Sequence, residues 1–542
     1  MKVMGREPVL VAATLVILSC TSGCASRQKG GGTAADLATA NLGPTIGSLA
    51  TLLAPEPAPV EGYGLIAGLK GTGSAECPPA IRAYLIRHIR QQLPPKATLD
   101  VETFISSNDT AAVRVEGVIP EVPSRNEYFD VRVTALPGTQ TTSLEGGGLF
   151  LTELKMPGSF GVNTRILADA EGPVFVDKIT GSPADKRTGY ILAGGKVLDE
   201  YKIILVLRQR DFRLTNTVRN ALNGRFGATT ARAVQPGRVE MLVPAQYKQR
   251  RQRFIAMVKA LYLTQEPEMI AERIKTLTGK LAGSEDKYES EVAIEAIGNE
   301  SLGGLRILLD SSDERVRLHA ARCMLSLGSD DALPTLRQIA MDKGSAYRLD
   351  ALESVAVTAR RNDAAALSRK LLNDEDLPIR LAAYEHLRRL DDVVLTQEFI
   401  GRNFYLERIA QTDHKVIFAT RSGQPRIVLF GAPIYCDRDI FVESPEGDIT
   451  VNAPSGQDYV TLIRRHPKRP AVIAQAKSSF DLGDMIKTLC EEPPKEGQKG
   501  GGGLGVSYAD AIILLKLMCD KGAVDAQFHA GPLPKIGPNI KK

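Results

Sequence analysis

Five glycines lie in the short stretch Val60–Gly73, VEGYGLIAGLKGTG, and they constrain the fold more than any other feature of the sequence. Glycine gives the main chain access to positive φ and lets two backbones approach closely. The main chain therefore sets the shape here, and the stretch predicts a strand followed by a tight turn at the start of a domain. The expected structural glycines are Gly62, Gly64, Gly68, Gly71 and Gly73.

Two nucleotide-binding motifs are similar to this stretch, but neither fits it. A dinucleotide fingerprint, G-x-G-x-x-G, follows a buried strand directly. Here the glycine spacing is one residue too long, and the preceding APEPAPVE is not a core strand. A Walker loop places Ser or Thr directly after its Lys, whereas Lys70 is followed by Gly71. We therefore expect no cofactor at this stretch.

The amino terminus has the pattern of a secretory leader. Lys2 and Arg6 precede an apolar run, Val9–Leu18, that is too short for a membrane span of about 20 residues. Cys20 and Cys24 each follow small or aliphatic residues in the manner of a bacterial lipobox, so residues 1–24 are predicted to be a lipoprotein-type signal peptide. Cys20 has the better aliphatic lead-in, and Cys24 follows smaller residues. The alternative is a plain signal peptide with incidental cysteines.

Length and charge limit the possible organisation of the remaining chain. A chain of 542 residues predicts three or four domains, and a net charge of +5 does not imply a nucleic-acid partner. The densest basic run, Lys248–Arg253, lacks interleaved aromatic residues, so a solvated helix face is the expected interpretation. Residues 25–56 combine a Gly-rich and a Pro-rich stretch, and we predict a flexible linker there.

The sequence contains no recognisable set of catalytic or metal-binding residues. Its histidines are scattered, and there is no HExxH, GxSxG, SxxK or CxxC motif. We therefore expect neither an enzyme nor a protein-built metal site. Export to an oxidising compartment permits disulfides. With Cys323 set aside as a buried thiol, the four remaining cysteines allow three full pairings; they are Cys77, Cys436, Cys490 and Cys519.

Hydrophobic periodicity divides the rest of the chain into regions. Residues 57–158 alternate apolar and polar positions between prolines and glycines, which predicts a β-rich domain. Residues 159–264 alternate strand and helix patterns and predict a small α+β domain. Residues 404–542 return to short strands and end in an apolar helix, with a Gly-rich linker at 491–505.

An internal repeat occupies the predicted helical region, residues 265–403. The motif Arg-Leu-x-Ala recurs at Arg317, Arg348 and Arg380, spaced 31 and 32 residues apart, and each copy comes after a polar loop. Repeats of this length with 3.6-residue periodicity are typical of stacked helical pairs, and the pattern resembles HEAT repeats with a shorter period. The fold class predicted is therefore a multi-domain α+β protein whose β-rich modules are split by an all-α repeat insert.

Several segments resemble, in order, the bacterial flagellar P-ring protein family. GYGLIAGLKGTG is similar to that family's opening signature, although Ser74 replaces its final acidic residue. Further matches are AAVRVEGVIP, the run after Phe129, and SLEGGGLFLTELK. TGYILAGGKVLDEYKIILVLRQRDF and the closing GLGVSYADAIILLKLMC continue the resemblance, which covers residues 57–264 and, more loosely, 410–530. The helical insert is the largest departure from the family pattern.

The resemblance implies a function that needs no cofactor. It implies a structural subunit that forms a ring of copies around the flagellar rod in the periplasm, with rod and L-ring proteins and peptidoglycan as partners. A further protein partner would bind the helical repeats. The family position of Cys436 and Cys519 also suggests that these two residues form a disulfide. The alternatives are a lipid-anchored envelope scaffold that reuses P-ring domains outside the flagellum and, less favoured, an envelope hydrolase.

Overall fold

The computed structural model has the predicted α+β, multi-domain architecture. The residues that it describes are 42–94, 99–159, 164–180, 185–401, 403–466, 469–493 and 502–536. The predicted signal peptide, with Cys20 and Cys24, lies outside this described part. Among the described residues, no helix is both long and apolar enough to cross a membrane.

A closed antiparallel barrel forms the first module, in the order β2-β3-β4-β7-β6-β5. The strands are β2 (Ala58–Ala67), β3 (Thr110–Ile119), β4 (Tyr128–Ala135), β5 (Gly148–Leu154), β6 (Ala168–Pro173) and β7 (Thr188–Val197). Alternating residues such as Val113, Val115, Val131 and Val133 fill its interior. β6 and β7, which follow the predicted domain boundary at residue 158, pair with β5 and β4 and complete the barrel.

Helices α2 (Pro79–Gln92) and α3 (Val101–Ile105) connect β2 to β3 on the outside of the barrel. Leu85 and Ile89 of α2 pack against Leu65 of β2. The helical pattern places His88 near the polar side and predicts exposure, but His88 is buried and stacks on Tyr84. Its Nε2 lies 2.8 Å from the carbonyl oxygen of Leu151, so His88 joins α2 to the barrel wall.

A second sheet, in the order β1-β8-β10-β9, is covered by helices on one face. Its elements are α1 (Ile46–Leu49), β1 (Ala50–Leu53), β8 (Ile203–Leu207), α4 (Phe212–Phe226), β9 (Ala231–Gln235), β10 (Arg238–Met241) and α5 (Arg251–Ala260). Residues 46–53 fall within the predicted linker, but β1 pairs with β8 and Ile46 is fully buried. This part of the predicted linker is therefore a structural element of the module.

A helical block comes next, within the range predicted for the insert. It consists of α6 (Pro267–Gly283), α7 (Tyr288–Ile297), α8 (Leu302–Leu308), α9 (Glu314–Ser326), α10 (Leu333–Met341), α11 (Arg348–Thr358), α12 (Arg361–Leu371) and α13 (Leu377–Arg389). The repeated arginines bind main-chain carbonyl oxygens that come shortly before their own helices. Arg317 and Arg380 donate to carbonyl oxygens of Ser311 and Asp374, six residues earlier, and Arg348 donates to Ala340 O.

The first end of the helical block is joined to the second sheet module through a buried ionic network. Glu291 of α7 is fully buried and accepts from Arg253 of α5 at 2.5 Å. Arg322 of α9 donates its Nε to the same carboxylate at 2.7 Å, and His319 Nδ1 lies 2.5 Å from it. Glu295 is a second carboxylate partner of Arg253.

The other end of the helical block is joined to the carboxyl-terminal region. Glu407, on β12 (Phe404–Ile409), is fully buried and accepts hydrogen bonds from Tyr384 and Arg388 of α13. Arg426 donates to the Tyr384 hydroxyl at 2.8 Å. Apolar residues of the sheet that contains β12, including Phe430, belong to the same core as the helices. The helical block therefore shares buried contacts with the modules on both sides of it in the sequence.

The carboxyl-terminal region contains two sheets and two covering helices. A mixed sheet has the order β11-β12-β14-β13-β19, and an antiparallel meander has the order β15-β16-β17-β18. The remaining elements are β11 (Leu395–Ile400), β13 (Val416–Ala419), β14 (Arg426–Phe430), β15 (Ile440–Glu443), β16 (Ile449–Ala453), β17 (Val460–His466), β18 (Arg469–Ser478), α14 (Leu482–Cys490), α15 (Tyr508–Asp520) and β19 (Gln527–Ala530). Phe175, which follows β6, and Leu192 of β7 lie in the core of this region.

Candidate functional site

The glycines of β2 allow the neighbouring strand to lie against the main chain. A side chain on Gly62 would overlap the carbonyl oxygen of Glu153, and one on Gly64 would overlap the Thr152 side chain. Both neighbours belong to β5, which pairs with β2 only at Ile66 and Ala67. These two glycines therefore let the barrel close where the regular pairing ends.

The turn after β2 uses the other glycines in a different way. Gly68 and Gly71 have φ of +86° and +83°, a backbone region that L residues with a side chain enter at a cost. Gly73 has little space rather than positive φ, because a Cβ there would overlap the carbonyl oxygen of Thr110. The Gly73 amide donates to Asn108 O at 2.9 Å, so the turn packs flat on the start of β3.

The glycine turn also positions a second loop at the same end of the barrel. Thr72 Oγ1 donates to Ser143 O at 2.9 Å, and the Thr142 amide donates to Thr72 O at 2.8 Å. Together the two loops form one wall of a cavity of about 560 Å³. The opposite wall comes from the carboxyl-terminal region and includes Asp448, Arg464 and Tyr508. The cavity therefore lies at the junction of these two parts of the chain.

A cluster of opposite charges crosses this junction. Lys178 lies 2.6 Å from Asp510 and 2.9 Å from Glu145, while Lys186 lies 2.7 Å from Glu446 and 3.2 Å from Glu145. Burial alone would lower the pKa of Lys178, but the Asp510 and Glu145 carboxylates outweigh it and the pKa is raised. The hydrogen bond from Lys186 lowers the pKa of Glu446. Both lysines are therefore held as cations between carboxylates.

A second set of contacts fixes the turn between β13 and β14 to the barrel. Asp130 of β4 accepts from the amide of Gly423 at 2.9 Å and from that of Ala193 at 2.6 Å. Arg421 lies 3.2 Å from Asp177 and donates to Gly531 O at 2.7 Å. The cavity, the charge cluster and these hydrogen bonds indicate a structural role for the junction.

Replacing Lys178 with Met should loosen the junction and lower the free energy of unfolding by about 2 kcal/mol, because Asp510 and Glu145 would lose a half-buried cation. Lys186→Met is the matched control. That lysine is 42% exposed, so its loss should cost less than about 1 kcal/mol. Urea denaturation of the two variants measures the difference. Equal urea midpoints would contradict a structural role for the Lys178 cluster.

The remaining predicted sites have separate places in the fold. Among the described residues, no group of His, Cys, Asp or Glu could hold a metal ion. The described cysteines are free thiols, and Cys436 Sγ lies 3.5 Å from Met485 Sδ. The disulfide between Cys436 and Cys519 is not tested by this observation and stays a prediction.

The basic run Lys248–Arg253 is not the solvated face expected from the sequence. Arg250 donates to the Ser326 hydroxyl at 3.1 Å, and Arg251 forms an ion pair with Glu127 of the barrel at 2.6 Å. Arg253 enters the network of Glu291. Each of these arginines contacts a different part of the protein, which no local charge pattern indicates.

Comparison with known proteins places the barrel and the second sheet module in one family. The model of the flagellar P-ring protein family matches residues 46–277, from α1 through the barrel to α6. Residues 46–277 belong to the flagellar P-ring protein family. The match begins at α1, in agreement with the finding that residues 46–53 are part of the folded module.

Curated P-ring proteins are similar to this chain over comparable lengths. The flagellar P-ring protein of Desulfotalea psychrophila is 26% identical over 266 residues, which are 46% of this chain and 65% of that protein. That of Geotalea uraniireducens is 26% identical over 301 residues, 52% of this chain and 76% of its own length. Flagellar P-ring protein 1 of Hahella chejuensis is 30% identical over 200 residues, 34% of this chain and 51% of its own. The chain thus spans less than two thirds of two of these relatives.

Proposed function

We propose that this chain is a structural subunit of the flagellar P-ring that assembles in many copies around the rod in the periplasm. The observation that carries the proposal is the P-ring family match, which runs without interruption through the barrel and the second sheet module. The glycine-shaped backbone at the barrel seam and turn belongs to this matched region. The charged junction fixes that region to the carboxyl-terminal sheets, as a rigid subunit of an assembly requires.

The helical block, α6 to α13, is proposed to be a HEAT-like addition to the P-ring architecture. The family model ends at residue 277, within α6, so most of the block lies beyond it. A stack of helical pairs offers an extended surface for a protein partner. The block is fixed at Glu291 and at Glu407, so it would hold such a partner at a defined position on the subunit.

The expected neighbours come from the P-ring assignment. They are further copies of the chain, rod and L-ring proteins, and peptidoglycan at the level of the ring. Assembly of this kind needs no bound cofactor and no catalysis. The predicted resemblance of residues 410–530 to the end of the P-ring family lies outside the family match and remains part of the proposal.

Deletion of the gene should abolish swimming and remove the P-ring density from basal bodies seen by electron cryotomography. Complementation with the wild-type gene should restore both. The tagged chain should also be recovered with purified hook–basal bodies. Intact rings and normal swimming in the deletion strain, together with absence of the chain from purified basal bodies, would overturn the proposal.

The second candidate function is a lipid-anchored envelope scaffold, which the two lipobox-like sequences at Cys20 and Cys24 favour. Labelled palmitate would enter the mature protein if either cysteine is acylated, and Cys20→Ser and Cys24→Ser would separate the two positions. Lipid labelling in a strain whose rings do not contain the chain would support the scaffold. An unlabelled protein present in basal bodies would reject it.

A further inference from the structure

One face of the second sheet is open to solvent and carries apolar side chains. Ala50, Leu205 and Val239 point to the helix-covered core. On the opposite face Leu53 is 52% exposed and Val206 is 40% exposed. Thr51 of β1 is the register partner of Val206, and Leu53 is the partner of Ile204, so the apolar positions adjoin one another across the two strands.

Arginines lie on this open face and near it in sequence; Arg238 is the register partner of Val206, and Arg232 is that of Glu240. The exposed ones are Arg208, Arg210, Arg213, Arg232 and Arg238, and the 63% exposed Phe212 lies among them in sequence. In the described part of the chain, none of the salt bridges involves any of these five guanidinium groups. We call the open strands and these arginines the arginine face. Arginine and exposed apolar side chains together are typical of protein interfaces.

The helical block carries the complementary charge. Residues 199–264 contain 13 Lys and Arg against four Asp and Glu, whereas residues 265–314 contain 12 Asp and Glu against five Lys and Arg. Glu285 and Asp286, between α6 and α7, and Glu289, in the first turn of α7, are exposed, and none of them forms a salt bridge within the described residues. We call these three residues the acidic loop.

Within the described residues of one copy, no salt bridge joins the arginine face to the acidic loop. Arg208, Arg210 and Arg213 flank the start of α4, whereas Arg225 near its end donates to the carbonyl oxygens of Glu295 and Ala296 in α7. A helix of this length separates its ends by about 20 Å. The acidic loop lies at the opposite end of α7. Each copy therefore carries two oppositely charged surfaces that no salt bridge within the described residues joins to each other.

We propose that the arginine face of one copy binds the acidic loop of the next copy. Such a contact joins two different surfaces, so it is head-to-tail and can close into a ring. The inference rests on the proposed function for its ring geometry, and it assigns a role to the first helices of the insert as a contact between subunits. A second copy is favoured over a lipid or another polyanion because the same chain carries both unpaired charge sets.

Charge reversal tests the contact in the full chain purified after export. The reversed arginine face combines Arg208→Glu, Arg210→Glu and Arg238→Glu, and the reversed acidic loop combines Glu285→Lys, Asp286→Lys and Glu289→Lys. Each alone should weaken self-association, measured by sedimentation velocity, at least tenfold. Mixing the two variants should restore association, since each keeps one original surface. Combining both reversals in one chain should also restore it.

The matched control places the same charge change elsewhere on the surface, with Arg87→Glu, Lys521→Glu and Lys535→Glu, and should associate like the wild type. Raising the salt from about 0.1 to 1 M should weaken association, because the screening length falls from about 10 to 3 Å. A wild-type chain that stays monomeric, or reversed variants that associate normally, would overturn the inference. If the reversed variants lose self-association, mixing them does not restore it, and the wild type binds phosphatidylglycerol vesicles, the arginine face would instead be assigned to lipid binding.

The inference and the proposed function fail in different ways. If the chain is recovered in basal bodies and the reversed variants still form complete rings, only the subunit contact is wrong. If the chain is absent from basal bodies but the reversed surfaces rescue each other in solution, the contact stands and the P-ring assignment fails. Circular dichroism of every variant checks that the helices remain folded.

Discussion

Replacing Glu291 with Ala is expected to lower the free energy of unfolding by about 3–5 kcal/mol, the cost of breaking a buried ion pair from one side. Glu291 is fully buried and is the carboxylate shared by Arg253, Arg322 and His319. Its removal would leave the 9% exposed Arg253 side chain with Glu295 alone. Urea denaturation followed by the helical circular dichroism signal measures the loss.

Glu289→Ala is the matched control, because Glu289 is an exposed residue of the same helix. It should change the free energy of unfolding by less than about 0.5 kcal/mol. If both variants unfold at the same urea concentration as the wild type, the buried network does not hold the helical block to the second sheet module. Retention of the helical signal in buffer shows that each variant folds before urea is added.

The same network should make the protein sensitive to acid. Burial alone would raise the pKa of Glu291, but Arg253 and the hydrogen bonds from Arg322 and His319 outweigh it and hold the pKa well below its usual range. A carboxyl with a lowered pKa in the folded state stabilises the fold above its unfolded pKa of about 4.3, and this stabilisation is lost as the pH falls further. The stability difference between the wild type and Glu291→Gln should therefore shrink below about pH 4.

Local patterns in the sequence indicate individual helices and strands. The 3.6-residue spacing of Ile81, Leu85 and Ile89 is typical of a helix and coincides with α2, and the alternation of Phe129, Val131 and Val133 is typical of a strand and coincides with β4. Both signals depend only on which face of an element is buried. The closure of the barrel depends instead on β7 returning to β4 across more than 50 residues, and the alternation within each strand does not specify its partner.

The charged residues show the same limit. A run of basic residues such as Lys248–Arg253 is usually solvated, so the local pattern favoured exposure. Arg253 is buried because Glu291 and Glu295 approach it from a helix about 40 residues later in the sequence. The junction cluster is still more distant, since Lys178 meets Asp510 from more than 300 residues away. Pairings over such distances result from the packing of whole modules and could not be predicted from one sequence.

The glycine stretch was easier to interpret from the sequence, because positions where two backbones approach closely require glycine. Gly73→Ala is expected to lower the free energy of unfolding by about 3 kcal/mol or more, since the new methyl group would overlap the carbonyl oxygen of Thr110 and lie 2.8 Å from that of Asn108. Both are backbone atoms and cannot rotate away. The overlap could be relieved only if the turn moved away from β3, which would break the hydrogen bond from the Gly73 amide to Asn108 O.

Two other glycines separate lack of space from backbone strain as the cause. Gly71→Ala places a side chain at φ +83° and should cost about 1–2 kcal/mol. Gly224→Ala, at an open position in the last turn of α4, should stabilise the protein by up to about 0.5 kcal/mol. Thermal unfolding should therefore rank the variants with Gly73→Ala lowest and Gly224→Ala highest. If Gly73→Ala unfolded at the same temperature as Gly71→Ala or at a higher one, the turn would be able to accommodate a side chain. Close packing of its backbone on β3 would then not be the reason for glycine at position 73.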